Sequence, residues 1–159
     1  MLVKNHMKRV MIADDDLDDQ MLVQEVIQEI DPRIEILIMP DGVKLMHTLQ
    51  SFAHPDLLLL DLNMPFKNGM DCLAEIKADP GMKDIPVVVL STSKSVRDVE
   101  QSFALGAHLF LTKPNTYEEL RKMIGSLLHI KWEKFRSMLH KRHFMRIATE
   151  GSIEIPEEV

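Results

Sequence analysis

Polar residues that could do chemistry follow four short apolar runs in this chain. Asp61 comes directly after four leucines, and Asp14-Asp15 ends another apolar run. Ser91 ends a run of valines and leucine, and Lys113 follows Leu-Phe-Leu-Thr. An apolar run this short, bounded by polar residues, is typical of a strand buried on both faces. We therefore expect acids, a hydroxyl and an ammonium at the carboxyl ends of strands, where open α/β sheets bind ligands.

Three carboxylates gathered at one sheet edge require a cation. At a separation of about 5 Å and an effective dielectric constant near 20, each pair repels by roughly 3 kcal/mol. A small set of oxygen ligands favours Mg²⁺, with Mn²⁺ as the other option, rather than zinc. Lys113 and Ser91 carry groups that suit phosphoryl oxygens. A carboxylate nucleophile beside Mg²⁺ and a lysine is an arrangement that forms an aspartyl phosphate.

The acids between positions 14 and 19 also have a simpler interpretation. Asp16 could cap a helix, and its neighbours could decorate a solvated first turn. We accept that interpretation for Asp16, Asp18 and Asp19. For Asp14 and Asp15, helix capping does not explain why Asp61, Ser91 and Lys113 also follow predicted strands.

Strand-like runs alternate with helical stripes along the chain. Val23, Val26, Ile27 and Ile30 follow the i, i+3, i+4, i+7 spacing of a helix face, and Ser95 and Thr116 begin capping-box patterns. The alternation predicts an α/β fold, a doubly wound parallel sheet with helices on both faces. Apolar residues recur beyond position 128, so we expect the last helix to extend to about His143, before an acidic tail. The predicted elements are strands at about 8–13, 34–39, 56–61, 85–91 and 108–112, and helices at 17–30, 41–51, 70–78, 95–105 and from 116 onward.

Composition narrows the class of protein. The 159 residues are enough for one domain with an extension, and the net charge of −6 argues against broad nucleic-acid binding. Cys72 is the only cysteine, so a disulfide framework within one chain is excluded. The amino-terminal residues carry no apolar stretch long enough for a signal peptide or a membrane span. We expect a cytoplasmic protein that contacts neither nucleic acid nor membrane.

The motifs taken together resemble the receiver domain of two-component response regulators. The resemblance spans about residues 8–129 and rests on five motifs in matching order and spacing: Asp14-Asp15, Asp61 to Pro65 with Gly69, Ser91-Thr92 and Lys113-Pro114. It implies a flavodoxin-like fold, with five parallel strands in the order 2-1-3-4-5. It also divides the chain into a receiver domain at 1–129 and a helical extension with an acidic tail at 130–159.

The resemblance implies a role for each matching residue. Asp61 would accept the phosphoryl group, and Asp15 and Asp61 would bind Mg²⁺ through their side chains. Asn63 would bind the ion through its backbone carbonyl, and Asp14 through a water molecule. Lys113 would pair with Asp61 and then with the phosphoryl group.

Further positions match the family's switching elements. Ser91 would hydrogen-bond a phosphoryl oxygen and draw its loop inward. Phe110 matches the switch aromatic, although an ordinary core ring on an interior strand explains it at least as well. Lys113-Pro114 resembles the family's cis peptide. Asn63 and Ser93 would tune hydrolysis by placing the attacking water, and we expect slow self-dephosphorylation.

We interpret the chain as a stand-alone receiver that signals by protein contact and is not an enzyme acting on other substrates. The small regulators that work with phytochrome-type and other hybrid histidine kinases resemble it most. Its partners would be a sensor or hybrid histidine kinase, or a histidine phosphotransfer protein. A homodimer could form through the face of the fourth helix, fifth strand and fifth helix, or through the extension.

Several alternatives remain open. An aspartate-nucleophile phosphatase uses similar groups, but it needs a second acid two residues after the nucleophile, where this chain has Asn63. A flavin-binding module would need a phosphate loop after a strand and aromatic residues for stacking. His140 and His143 have a spacing that permits a metal site, but neighbouring basic residues favour a solvated helix face. The basic, apolar stretch from 131 to 146 favours a protein contact over nucleic acid or lipid.

Overall fold

The computed structural model of the chain describes residues 7–51, 54–136 and 140–153, with only the backbone at 135 and 136. Within these residues, five parallel strands form one sheet in the order β2-β1-β3-β4-β5, as predicted. The strands are β1 Arg9–Ala13, β2 Glu35–Met39, β3 Leu57–Leu60, β4 Val87–Ser91 and β5 Leu109–Thr112. The helices are α1 Leu17–Ile30, α2 Gly42–Ser51, α3 Gly69–Ala78, α4 Val96–Leu105, α5 Tyr117–His129 and α6 Lys141–Glu150, with a 3₁₀ helix at Trp132–Arg136.

The central strands are buried on both faces, which explains their continuous apolar sequences. All four leucines of β3 are buried. Successive side chains of a strand point to opposite faces. Leu58 and Leu60 therefore join the apolar core that includes residues of α2, α3 and α4. Leu57 and Leu59 join the core that includes residues of α1 and α5. This two-sided burial places the polar residue that ends each strand at the carboxyl edge of the sheet.

Polar side chains set the starts of the helices. Asp16 caps α1 by accepting a hydrogen bond from the amide of Asp19, and Thr116 caps α5 in the same way. The predicted cap of α4 by the Ser95 side chain is wrong. The hydroxyl of Ser93 instead donates to Asp98 Oδ2 at 2.6 Å and accepts from the amide of Ser95 at 3.2 Å. The start of α4 is thus bonded to the loop that follows β4.

The carboxyl-terminal part of the chain differs from the single long helix that we predicted. Helix α5 ends at His129, where Ile130 adopts an extended backbone conformation. Trp132 then turns towards the sheet, donates from Nε1 to the carbonyl of Leu127 at 3.2 Å, and packs edge-on against His108. Because only 8% of the Trp132 side chain remains exposed, burial of this large ring favours the turn over a longer α5.

Helix α6 returns to the domain and packs against β5 and α4. Phe144 and Ile147 of α6 are buried, one in each of the two apolar cores. The residues 137–139 that we expected within the long helix, and the end of the acidic tail at 154–159, lie outside the described residues. Over the described ranges, every helix is too short or too polar to cross a membrane.

Candidate functional site

Asp61 lies directly after β3 at the carboxyl edge of the sheet. Its amide donates to the carbonyl of Ala13 on the neighbouring strand at 2.9 Å, so the backbone position is set by the sheet itself. Its side chain is buried, and Oδ1 accepts a hydrogen bond from the amide of Asn63 at 3.2 Å. Gly69 closes the following loop by donating to the carbonyl of Leu62 at 2.9 Å. Asp61 is therefore held at both its backbone and its carboxylate.

Asp14 is held beside Asp61 by the end of the adjacent strand. Its amide donates to the carbonyl of Met39 on β2 at 3.1 Å. Its Oδ1 accepts from the amide of Asp16 at 3.0 Å, while its carbonyl accepts from the buried amide side chain of Gln20 at 2.5 Å. These bonds satisfy one carboxylate oxygen and leave Oδ2 directed to the shared site.

Three carboxylates meet at this edge, as the sequence predicted. One oxygen each of Asp14, Asp15 and Asp61 lies within 4.8 Å of the others. Asp14 and Asp61 are buried, and Asp15 is exposed. Three carboxylate oxygens that reach one point, with one side open to water, fit a hard divalent cation that keeps part of its hydration shell. The donor set therefore matches Mg²⁺ or Mn²⁺.

Lys113 approaches the carboxylates from the end of β5. Its Nζ lies 2.8 Å from Oδ2 of Asp14, 2.7 Å from Oδ2 of Asp19 and 3.2 Å from Oδ2 of Asp61. The contact with Asp61 was expected, but the contact with Asp19 was not. Sequence reasoning assigned Asp19 to a solvated first turn. The available signal was its place in the first turn of the helix that follows β1, because a helix that follows a strand begins at the carboxyl edge of the sheet.

The pKa values at the site follow from burial and charge. Burial raises the pKa of Asp61 to about 6, although the ammonium of Lys113 and the hydrogen bond from Asn63 favour its ionised form. Burial on its own would lower the pKa of Lys113, but hydrogen bonds to Asp14 and Asp19 and the charge of Asp61 together raise it. Lys113 is thus a permanent cation, and a further positive charge beside Asp61 would favour the ionised form of its carboxyl group.

Ser91 ends β4, the strand that pairs with β3 on the side away from Asp14. The pairing of Leu60 with Val89 brings Ser91 to the same edge as Asp61. The hydroxyl is fully buried and accepts a hydrogen bond from the amide of Ser93 at 3.1 Å. The carbonyl of Ser91 accepts from the amide of Lys113 at 2.8 Å, so the two residues are coupled through the backbone.

Other predicted positions have more ordinary surroundings. Phe110 is fully buried in the core between the sheet and α4, which agrees with its interpretation as a core ring. The predicted cis peptide is wrong, since the bond between Lys113 and Pro114 is trans. The rings of His140 and His143 lie 6.3 Å apart, and burial together with nearby arginines lowers the pKa of His143. Among the described residues, the only group of three or more acids, histidines or cysteines able to hold one ion is the Asp14 cluster.

Comparison with known protein families gives a match over most of the chain. The family model described as the response regulator receiver domain matches residues 10–125. Response regulator Rcp1 of Synechocystis sp. PCC 6803 is 40% identical over 129 residues, which cover 77% of this chain and 88% of Rcp1. The transcriptional regulatory protein CiaR of Streptococcus pneumoniae R6 is 34% identical, but the match covers only 52% of CiaR.

Solved structures give the same result. The chain resembles the phosphorylated cyanobacterial phytochrome response regulator RcpA with a TM-score of 0.73 and 34% identity, over 82% of this chain and 94% of RcpA. It resembles the Mn²⁺-bound form of Rcp1 with a TM-score of 0.71 and 37% identity, over 84% of this chain and 99% of Rcp1. The chain belongs to the family of response regulator receiver domains, the phosphoryl acceptors of two-component signalling.

Proposed function

We propose that Asp61 accepts a phosphoryl group from the phosphohistidine of a sensor or hybrid histidine kinase, or of a histidine phosphotransfer protein. A carboxylate oxygen of Asp61 attacks the phosphorus atom as the phosphorus–nitrogen bond breaks. The histidine leaves with the bonding electron pair and takes a proton, and an acyl phosphate remains on Asp61. The observation that carries this proposal is a buried carboxylate with Lys113 Nζ at 3.2 Å and two further carboxylates within 4.8 Å.

The divalent cation of this reaction would be held by Asp14, Asp15 and Asp61, with the backbone carbonyl of Asn63 as a further ligand. Support comes from the oxygen donor set and from the Mn²⁺ bound by the relative Rcp1. When bound, Mg²⁺ or Mn²⁺ neutralises charge that develops on the phosphoryl oxygens. The chain's own contribution is to gather the oxygens on strand ends that the sheet keeps rigid.

Lys113 and Ser91 would stabilise the transferred group. The ammonium of Lys113 can pass from the Asp61 carboxylate to a phosphoryl oxygen with little movement, because it already lies beside Oδ2. The hydroxyl of Ser91 would donate to a second phosphoryl oxygen. Its oxygen already accepts from the amide of Ser93, so a movement of the hydroxyl towards the phosphoryl group would change that bond. Phosphorylation would thereby reach the loop between β4 and α4.

Loss of the phosphoryl group would follow by attack of water on phosphorus. Asn63 and Ser93 flank the site, and neither is a strong base, so we infer slow hydrolysis. The protein would therefore act on its own aspartate and on no separate substrate. Its partners would be the phosphoryl donor and proteins that distinguish the two states. We assign residues 1–129 to the receiver and 130–159 to an appended segment.

Incubation with acetyl phosphate and Mg²⁺, followed by mass spectrometry of the intact chain, tests the acceptor. We expect one added phosphoryl group on the wild type and none on Asp61→Asn. Peptide mapping should place the group on Asp61. The matched control is Asp56→Asn, which changes an aspartate at the opposite end of β3 and should leave labelling unchanged. An unmodified wild type, or an Asp61→Asn variant labelled as fully, would contradict the assignment.

A further inference from the structure

Helix α6 packs against α4 and β5. These two elements and α5 form the surface that we call the α4–β5–α5 face. Phe144 packs edge-on against Phe103 of α4, with ring centroids 5.2 Å apart. Ile147 and Ala148 are also buried. Because β5 has only one neighbouring strand, α6 shields the open edge of the sheet as well. A partner could reach this face only after α6 leaves it.

The helical state of α6 depends on this contact. Ten residues form the helix, which is shorter than the length that is stable alone in water. Its outer side carries exposed basic residues, Arg142 and Arg146, and its inner side carries the buried ring of Phe144. A segment with few buried side chains opens more readily than a central strand. Docking and helix formation are therefore expected to occur together.

A chain of contacts through the loop after β4 and through α4 joins α6 to the proposed phosphorylation site. The Ser91 hydroxyl accepts from the Ser93 amide at 3.1 Å, and the Ser93 hydroxyl donates to Asp98 Oδ2 at 2.6 Å. Asp98 lies in the first turn of α4, one turn before the buried hydroxyl of Ser102, which donates to the Asp98 carbonyl at 2.7 Å. Phe103 follows on α4 and contacts α6. A change at Ser91 thus acts on the helix that α6 packs against.

A second route runs through β5. Lys113 directly follows the strand that α6 covers, and its amide is bonded to the Ser91 carbonyl. A groove of about 780 Å³ separates the site loops from the end of α6, and its lining includes Thr92, Lys113, Thr149 and Gly151. The end of α6 therefore lies across this groove from the loops that begin at Ser91 and Lys113. The groove leaves space into which those loops can move.

We propose that α6 is a reversible cover of the α4–β5–α5 face and that phosphorylation of Asp61 releases it. This inference rests on the proposed function of Asp61. Movement of the Ser91 hydroxyl towards the phosphoryl group weakens the hydrogen bond between Ser93 and Asp98 and shifts the start of α4. This shift weakens the packing of Phe144 against Phe103. Release exposes the face for a protein partner and exposes the apolar side of α6 at the same time.

The rate at which a disulfide reagent modifies a cysteine on the buried side of α6 measures how often α6 leaves the α4–β5–α5 face. Cys72 is fully buried and burial raises its pKa to about 11, so the native chain gives a low background with a disulfide reagent. The test variant is Ala148→Cys, which places a thiol on the buried side of α6, and the matched control is Thr149→Cys on its exposed side. We expect acetyl phosphate with Mg²⁺ to speed the reaction of Ala148→Cys at least tenfold and to leave Thr149→Cys unchanged. Adding Asp61→Asn should abolish the increase.

Mass spectrometry of the same samples separates the two proposals. A phosphorylated chain whose Ala148→Cys thiol reacts no faster overturns the release of α6 and leaves the acceptor role intact. A chain that takes no phosphoryl group overturns both. An Ala148→Cys thiol that reacts as fast as Thr149→Cys before any donor is added shows that α6 does not cover the face. Hydrogen exchange of the unsubstituted chain gives an independent readout, since amides at 144–150 should lose protection on phosphorylation.

Discussion

Asp19 Oδ2 lies 2.7 Å from Lys113 Nζ, closer than the 3.2 Å that separates this nitrogen from Asp61 Oδ2. The two residues are 94 positions apart and meet where α1 starts beside the end of β5. Asp19 therefore neutralises part of the charge of Lys113, which also contacts the carboxylates of Asp14 and Asp61. We expect it to act as a positioning residue, because its contact is with Lys113 and not with Asp61, the proposed acceptor.

Replacing Asp19 by Asn should weaken divalent cation binding. Without this carboxylate, Lys113 moves closer to Asp14 and Asp61 and competes with the ion for their oxygens. We expect the dissociation constant for Mn²⁺ to rise by about three- to tenfold, the effect of losing one partly exposed charged contact. Titration calorimetry measures the change. Asp18→Asn, an equal change of charge at an exposed position in the same turn, should have a smaller effect. Equal affinities for Asp19→Asn and the wild type would contradict this role.

The raised pKa of Asp61 predicts that its charge destabilises the metal-free protein. A carboxyl group whose folded pKa is about 6, above the ordinary aspartate value of 3.8, stabilises the fold at low pH and loses that contribution as pH rises through 6. At pH 7.5 without metal, Asp61→Asn should raise the free energy of unfolding by roughly 1 to 2 kcal/mol. The difference in unfolding free energy between Asp61→Asn and the wild type should decrease as pH falls towards 4.

Addition of Mg²⁺ should reverse this ranking. Saturation at a hundred times the dissociation constant stabilises the wild type by about 2.7 kcal/mol, while the variant gains little. Urea unfolding with EDTA and with Mg²⁺ measures both effects. An Asp61→Asn variant that is less stable than the wild type in EDTA at every pH would show that the charge of Asp61 does not destabilise the metal-free protein.

His108 should make stability depend on pH in the opposite direction. Burial and the nearby Lys77 ammonium lower the pKa of His108 to about 3, and its Nδ1 accepts from the amide of Val87 at 3.1 Å. The unfolded state binds a proton below pH 6.5, and the folded state does not until near pH 3. Stability is therefore full above pH 6.5 and should fall by about 1.4 kcal/mol per pH unit below it.

The variant His108→Asn isolates this contribution. Asn can accept the same hydrogen bond and does not titrate. Between pH 7 and pH 5, the wild type should lose about 2 kcal/mol more of unfolding free energy than His108→Asn. His47→Asn, at an exposed position, should follow the wild type. Parallel curves for His108→Asn and the wild type would show that His108 does not carry the pH dependence.

Gly69 should be essential because the backbone of Asp61 passes close to it. A Cβ atom at position 69 would lie 2.1 Å from the carbonyl oxygen of Asp61 and 2.7 Å from Cα of Leu62. Gly69→Ala must therefore displace the loop that carries Asp61, the proposed acceptor. We expect slower labelling by acetyl phosphate and a loss of about 2 to 4 kcal/mol in unfolding free energy.

The control for this prediction is Gly125→Ala within α5. A Cβ there has its nearest neighbour at 3.8 Å, an ordinary contact with the side chain of Ile30. Removing a helical glycine should raise stability by about 0.5 to 1 kcal/mol. Circular dichroism during urea unfolding compares the two variants. Normal labelling of a fully stable Gly69→Ala protein would contradict the close approach.

The contrast between β3 and the carboxyl-terminal helices shows which features could be predicted. Four leucines between polar residues specify a buried strand by themselves, because burial on both faces leaves no polar position within it. The apolar stripe beyond Leu128 specified helix but not where it bends. That choice depended on Trp132, whose ring is buried against His108 on the sheet.

The amino-acid sequence by itself determined the alternation of strands and helices, the polar residue at each strand end and the resemblance to receiver domains. The first two features are local, since each depends on residue types over a short stretch of chain, and the third depends on the order and spacing of motifs, which the sequence contains in full. Only the tertiary structure decided that Asp19 shares Lys113, that Ser93 rather than Ser95 bonds Asp98, and that α6 returns to cover β5. Each of these contacts depends on the distances and directions between side chains after packing, which a one-dimensional pattern does not contain.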